Sequence, residues 1–165
     1  MNAQKIKKPA SDPGKKPRRS PREKRSAFVI AARGLAELRI ALLDLHKALV
    51  DSERANYEKT IGAIQSPNHF LQLLIRDPWF AWLHPLSQLI IAMDETLDEK
   101  EPLTNAGVEA LVKQTRLLLI ASESGEGFSK HYFDALQRDP DVVLAHANAA
   151  KLFRPRNRMK NSRES

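Results

Sequence analysis

Residues 28–49 read FVIAARGLAELRIALLDLHKAL, and within them Phe28, Ala31, Leu35, Leu38, Leu42, Leu45 and Leu49 recur at spacings of three and four. Such a heptad stripe follows one side of a helix and favours near-antiparallel packing against neighbouring helices. The start of this helix is written just upstream. Ser20-Pro21-Arg22-Glu23 offers an N-cap oxygen, a proline at the first helical position and a glutamate at the third, which completes a capping box. Beyond Leu49 the stripe positions become Ser52 and Asn56. The pattern therefore predicts a helix from Pro21 to about Thr60 whose last turns reach past the core or face something polar.

The same start signal recurs at Ser66-Pro67, Asp77-Pro78 and Asp139-Pro140, and Thr104 is a further cap candidate. Proline is tolerated at a first helical position because its missing N–H would have had no partner inside the helix. Helices are thus predicted over Pro67–Arg76, Pro78–Glu99, Thr104–Ala121, Phe128–Gln137 and Pro140–Phe153. Pro85 removes a backbone bond within the second of these and places a kink or break near His84. Sustained period-2 alternation and Asn-Gly or Asp-Gly hairpin turns are absent. The expected architecture is an all-α bundle of about five to six helices with a long first helix, one domain over residues 21–153.

Charge divides the chain differently. Residues 1–25 hold ten basic groups against Asp12 and Glu23, a net +8, and residues 151–165 hold six against Glu164, a net +5. The whole chain is +7, so residues 26–150 are −6. An acidic body carries two basic ends. Pro9, Pro13, Pro17 and Pro21 and a scarcity of apolar groups mark residues 1–20 as an expected disordered tail, with a second over 154–165. Polycations bind phosphate chains by releasing counterions, so Lys15, Lys16, Arg18, Arg19, Arg154, Arg156 and Arg158 are the candidate polyanion-binding residues. No aromatic side chain lies within residues 1–25, so any binding to nucleic acid there would be blind to base sequence.

Several chemistries lack their residues. Zero cysteines exclude disulfides, thiolate metal sites and cysteine nucleophiles. The apolar runs Leu89–Met93 and Leu117–Ala121 fall far short of the roughly 20 residues that span a bilayer, so no membrane span is expected. His46, His69, His84, His131 and His146 are spread singly, without Glu-x-x-His or His-Glu-x-x-His, and no metal or other cofactor is expected. Gly125-Glu126-Gly127-Phe128-Ser129-Lys130 imitates the start of a dinucleotide fingerprint. It carries Lys where the third glycine belongs and follows a helix rather than a strand, which rejects it. His46, Glu53 and Tyr57 share one face of the first helix, either as a ligand row or as a polar border to the core.

The densest aromatic stretch is Asp77-Pro78-Trp79-Phe80-Ala81-Trp82-Leu83-His84-Pro85. On an α-helix consecutive residues lie about 100° apart, so three rings within four residues cannot all face one core. At least one ring is expected to be partly exposed or to line a groove, which makes Trp79, Phe80, Trp82 and His84 the candidate partner-binding residues. This stretch with Leu86-Ser87, followed by Leu136-Gln137-Arg138-Asp139-Pro140-Asp141-Val142-Val143-Leu144-Ala145-His146, resembles small uncharacterised all-helical proteins of bacteria. The likeness runs over about residues 41–146. It implies a cytoplasmic bacterial helical protein and carries over no activity, cofactor or site.

The resulting expectation is a non-enzymatic helical interaction or adaptor module. Its protein partner is unidentified, its basic ends tether it to nucleic acid or another polyanion, and its first helix is available for a homodimer. The alternative is a small-molecule or metal/haem sensor with a pocket between helices near Trp79–Pro85.

Overall fold

The structure, a computed structural model, describes residues 20–99 and 103–153. Helix α1 spans Pro21–Thr60, α2 Pro67–Arg76, α3 His84–Asp98, α4 Asn105–Leu118, α5 Gly127–Arg138 and α6 Pro140–Lys151, with a 3-10 helix over Pro78–Leu83 between α2 and α3. The architecture is all-α. The expected tails, the seven basic candidates in them and most of the Asp98–Pro102 turn lie outside the described residues.

Each proline-led start forms as its chemistry requires. Ser20 accepts from the Glu23 N–H while the Glu23 carboxylate accepts from the Ser20 N–H at 2.7 Å, a closed capping box. Ser66 caps α2 through the His69 N–H, Asp77 caps the 3-10 helix through the Trp79 N–H, and Asp139 caps α6 through the Asp141 N–H. Thr104 caps α4 through the Gly107 N–H. Each such cap satisfies a donor that the helix itself leaves open, typically worth about 1 kcal/mol. Pro85 falls at the second position of α3, where it breaks no helical bond, and the interruption expected near His84 is the switch from 3-10 to α geometry.

The core is built on α1. Leu35, Leu38, Leu42, Leu45 and Leu49 are all buried, and Leu86, Ile90 and Met93 of α3, Leu111 of α4, Tyr132 and Ala135 of α5, and Val142 and Ala149 of α6 join them in one cluster. Two cross-helix ties set the register of α1 on α3. The Arg39 guanidinium bonds the Asp94 carboxylate, and His46 Nε2 lies 2.8 Å from Ser87 Oγ, so numbers fall on one helix as they rise on the other. The pair is antiparallel. By that register the end of α3 lies beside Leu35, and no α1 residue before Leu35 is buried. Fourteen residues of α1, a length of about 21 Å, therefore project from the bundle. Phe28 continues the heptad pattern but is exposed and outside the core cluster, which corrects the expectation that the core seam begins there.

Candidate functional site

The aromatic stretch is a core corner, for a reason that lies in its helix type. In a 3-10 helix residues recur every three positions, so side chains fall on three faces. Pro78, Ala81 and His84 share the exposed face. Phe80 and Leu83 share a second and are buried, while Trp79, half-buried, and Trp82, buried, share the third. The Phe80 ring lies 5.5 Å from Tyr57 and 5.8 Å from Phe70. Trp79 meets Tyr57 edge-on at 5.7 Å, and Trp82 stacks on His131 at 5.3 Å beside Phe128 at 5.6 Å. The rings thus join α1, α2 and α5. One ring, Trp79, is partly exposed, as expected; Phe80 and Trp82 are buried, because the 100° argument assumed α geometry, and neither presents a ring to a partner. Only Trp79 in part and His84 reach solvent, with His84 Nε2 3.4 Å from the Leu74 carbonyl oxygen. The indole nitrogens of Trp79 and Trp82 are buried and find no acceptor among the described residues.

The row of His46, Glu53 and Tyr57 separates into ties to three different elements. His46 bonds Ser87 of α3, and Tyr57 packs on the 3-10 helix. Glu53 is buried, takes a hydrogen bond from the Arg138 guanidinium at 3.0 Å and accepts from the Asn56 amide at 3.1 Å. Arg138 also reaches the Ser52 hydroxyl at 3.4 Å. The polar end of the α1 stripe therefore faces an arginine at the close of α5. A fourth tie joins α5 to α6, where the Tyr132 hydroxyl lies 2.6 Å from His146 Nδ1.

The remaining histidines do not converge. His69 Nδ1 accepts from the Gln65 N–H, His131 lies on the Trp82 ring, and among the described residues no three His, Asp or Glu side chains gather as a metal site requires. A groove of about 310 Å³ does run between α3 and α4, lined by Pro85, Gln88, Leu89, Ala92, Gln114 and Leu118. It offers an apolar floor and two side-chain amides.

Burial pushes His46 and His146 below the ordinary histidine value of 6.5, and it holds the Tyr132 phenol well above its usual range. Unfolding therefore releases two histidines that take up protons more readily. Their contribution to stability is present above pH 6.5 and is lost as pH falls from there through the folded-state values. The unfolding midpoint in urea should drop between pH 7.5 and pH 5. The drop should shrink in a His46→Gln, His146→Gln double variant, and an equal drop in that variant would place the sensitivity elsewhere.

Of the residues that sequence reasoning passed over, the basic first turns and the outer face of α1 are the most informative. Arg22, Lys24 and Arg25 stand exposed on the projecting turns, continuous in sequence with the basic groups before them. Val29, Ile40 and Leu43 are exposed on the side of α1 away from the core. Their signal was present as a second three-and-four spacing beside the leucine seam. Comparison of the chain with protein-family models, with curated proteins and with solved structures gives no match in any of the three, and the likeness over residues 41–146 adds no activity or site residue.

Proposed function

We propose that the chain is a non-enzymatic helical interaction module that attaches to a polyanion through its basic ends. The observation that carries this reading is the partition of charge: +8 over residues 1–25 and +5 over residues 151–165 around a body of −6. The projecting part of α1 supports it, because Arg22, Lys24 and Arg25 stand exposed ahead of the bundle, where a phosphate chain reaches them without meeting the acidic body. Attraction of this kind is long-range, sensitive to salt and indifferent to base sequence.

The test is fluorescence anisotropy of a labelled DNA duplex and a labelled single-stranded RNA titrated with the full chain. Replacing Lys15, Lys16, Arg18 and Arg19 together by glutamine should weaken binding to both probes by at least about tenfold at low salt, since each phosphate contact releases its counterion. Unchanged affinity in that variant would sink the assignment of the N-terminal end. A second reading, a sensor for a small apolar ligand, is favoured by the α3–α4 groove, whose edge is formed by Pro85 at the close of the aromatic stretch. A stoichiometric chromophore or other small molecule carried by the full chain purified without an affinity tag would favour that reading.

A further inference from the structure

The leucine seam available for self-association in the sequence is occupied, because Leu35, Leu38, Leu42, Leu45 and Leu49 face the core of their own chain. What α1 leaves in solvent is a second apolar row. Val29 is 62% exposed, Ile40 56% and Leu43 38%, and Ala32 and Ala36, half-buried, stand between them. At about 100° per residue, Val29, Ala32, Ile40 and Leu43 lie within about 40° of Ala36 around the helix, and every leucine of the seam lies at least about 100° away. Basic side chains share the row. Arg22, Arg25 and Lys47, all exposed, fall within about 40° of Ala36, and Arg33, its side chain 81% exposed, within about 60°. The acids of the same stretch stand further round, Asp44 at about 80°, Glu37 at about 100° and Glu23 at about 140°. Asp51, one turn past the row at about 60°, is paired with Lys47. Residues 24–36 contain Lys24, Arg25 and Arg33 and no acid, so the projecting turns after Glu23 carry one sign of charge.

We propose that this row is a contact face for an anionic lipid surface. In this arrangement α1 lies along the membrane plane, with Val29, Ile40 and Leu43 at the boundary of headgroups and acyl chains and Arg22, Arg25, Arg33 and Lys47 among the headgroup phosphates. The inference rests on the reading of the basic ends as polyanion-binding and names the polyanion. An interfacial helix combines an apolar face with basic groups at the same level, and the stems of Arg and Lys lie along apolar surface while their charges reach phosphate. A short apolar face holds a protein only weakly by itself and needs a polybasic segment beside it. Here the +8 of residues 1–25 runs directly into the first turns of α1. The contact is along the surface, since no helix among the described residues is long and apolar enough to cross a membrane.

Other occupants fit less well. The row runs straight for about 21 Å from Val29 to Leu43, with alanines between its large side chains. A flat surface accommodates such a row, whereas protein partners are anchored by rings or pockets, and the row contains neither. Nucleic acid gains nothing from Val29, Ile40 and Leu43, which offer neither a hydrogen bond to phosphate nor an aromatic ring for a base.

The test is co-sedimentation of the full chain with vesicles of phosphatidylglycerol and with vesicles of phosphatidylcholine, beside its affinity for a labelled DNA duplex. The chain should bind phosphatidylglycerol and leave phosphatidylcholine unbound. Val29→Gln with Ile40→Gln, which changes no charge, should weaken binding to phosphatidylglycerol at least about tenfold while duplex affinity and helical circular dichroism stay unchanged. Because the chain has no cysteine, a nitrobenzoxadiazole label on Leu43→Cys reports the contact directly, and its emission should shift to the blue on phosphatidylglycerol. A chain that binds the duplex but not phosphatidylglycerol would overturn the lipid assignment and leave the polyanion reading standing, and a chain that binds neither would remove both. Vesicle binding indifferent to the double variant, an unshifted label, or equal binding to the two lipids would each overturn the proposal. So would a lipid-free chain that sediments at twice its 18.6 kDa mass and is dissociated by the same two substitutions, which would assign the row to a second copy.

Discussion

Truncating Phe80 to alanine is expected to destabilise the protein by about 3–5 kcal/mol, the range for a large ring removed from a packed interior. Phe80 is fully buried, and its ring meets Tyr57 of α1 and Phe70 of α2, so its loss opens a cavity where three elements converge. His84, four residues on and on the exposed face, is the internal control. His84→Ala should change stability by no more than about 0.5 kcal/mol, as surface substitutions do. Urea denaturation of the two variants separates a structural corner from a docking surface. A Phe80→Ala loss below about 1 kcal/mol, of the size common for ordinary single substitutions, would mean that the ring is not core and would return the stretch to the list of binding surfaces.

Arg138→Ala is the second large effect, about 3 kcal/mol, near the low end for one partner lost from a buried ion pair because the guanidinium itself is about a third exposed. What makes it costly is the residue left behind. The Glu53 side chain is 6% exposed and would keep only the Asn56 amide as a partner. Replacing both residues at once, Glu53→Leu with Arg138→Met, should recover most of the loss, since the penalty belongs to an unpaired buried charge rather than to the missing pair. By contrast, Arg33→Ala, which breaks an exposed i,i+4 pair with Glu37, should change stability by about 0.5 kcal/mol or less. A double-mutant cycle on Glu53 and Arg138 that gave no coupling would contradict the geometry at the end of the α1 stripe.

These residues also mark where the sequence was readable. Helix starts were legible because capping is local: Ser20, Ser66, Asp77, Thr104 and Asp139 each bond an N–H two or three residues ahead, and nothing distant is needed. The seam from Leu35 to Leu49 was legible because periodicity alone determines which face is apolar. The polar switch at Ser52 was legible as a change of environment, though not its partner, since Arg138 lies 85 residues from Glu53 along the chain. The aromatic corner was legible only in part: one ring, Trp79, is partly exposed as expected, but hydropathy does not distinguish three residues per turn from 3.6, and the difference decides whether Phe80 and Trp82 share the inside. Phe28 was misread for a different reason. A periodic pattern says which face is apolar and is silent on how far the neighbouring helices extend, and here α3 ends beside Leu35.

The same silence hid the outer stripe of α1. Val29, Ile40 and Leu43 look like ordinary helix-lining residues until α3 and α6 are seen to cover the other side. A helix with two apolar faces, one in the core and one in solvent, joined to a segment of strong positive charge, is the structural form of the interaction module proposed here. In that proposal the bundle supports α1, α1 carries its exposed basic first turns, and the ends supply the attraction.

The measurement that bears most directly on that account is the salt dependence of binding to a DNA duplex of arbitrary sequence. The full chain should give a linear fall of log affinity with log salt concentration, with a slope of at least about −4, equal affinity for a second unrelated sequence, and a shallower slope by about 0.9 for each engaged basic residue replaced by glutamine. Affinity that is absent at low salt, or that persists unchanged as salt rises, would contradict the claim that the basic ends attach this bundle to a polyanion.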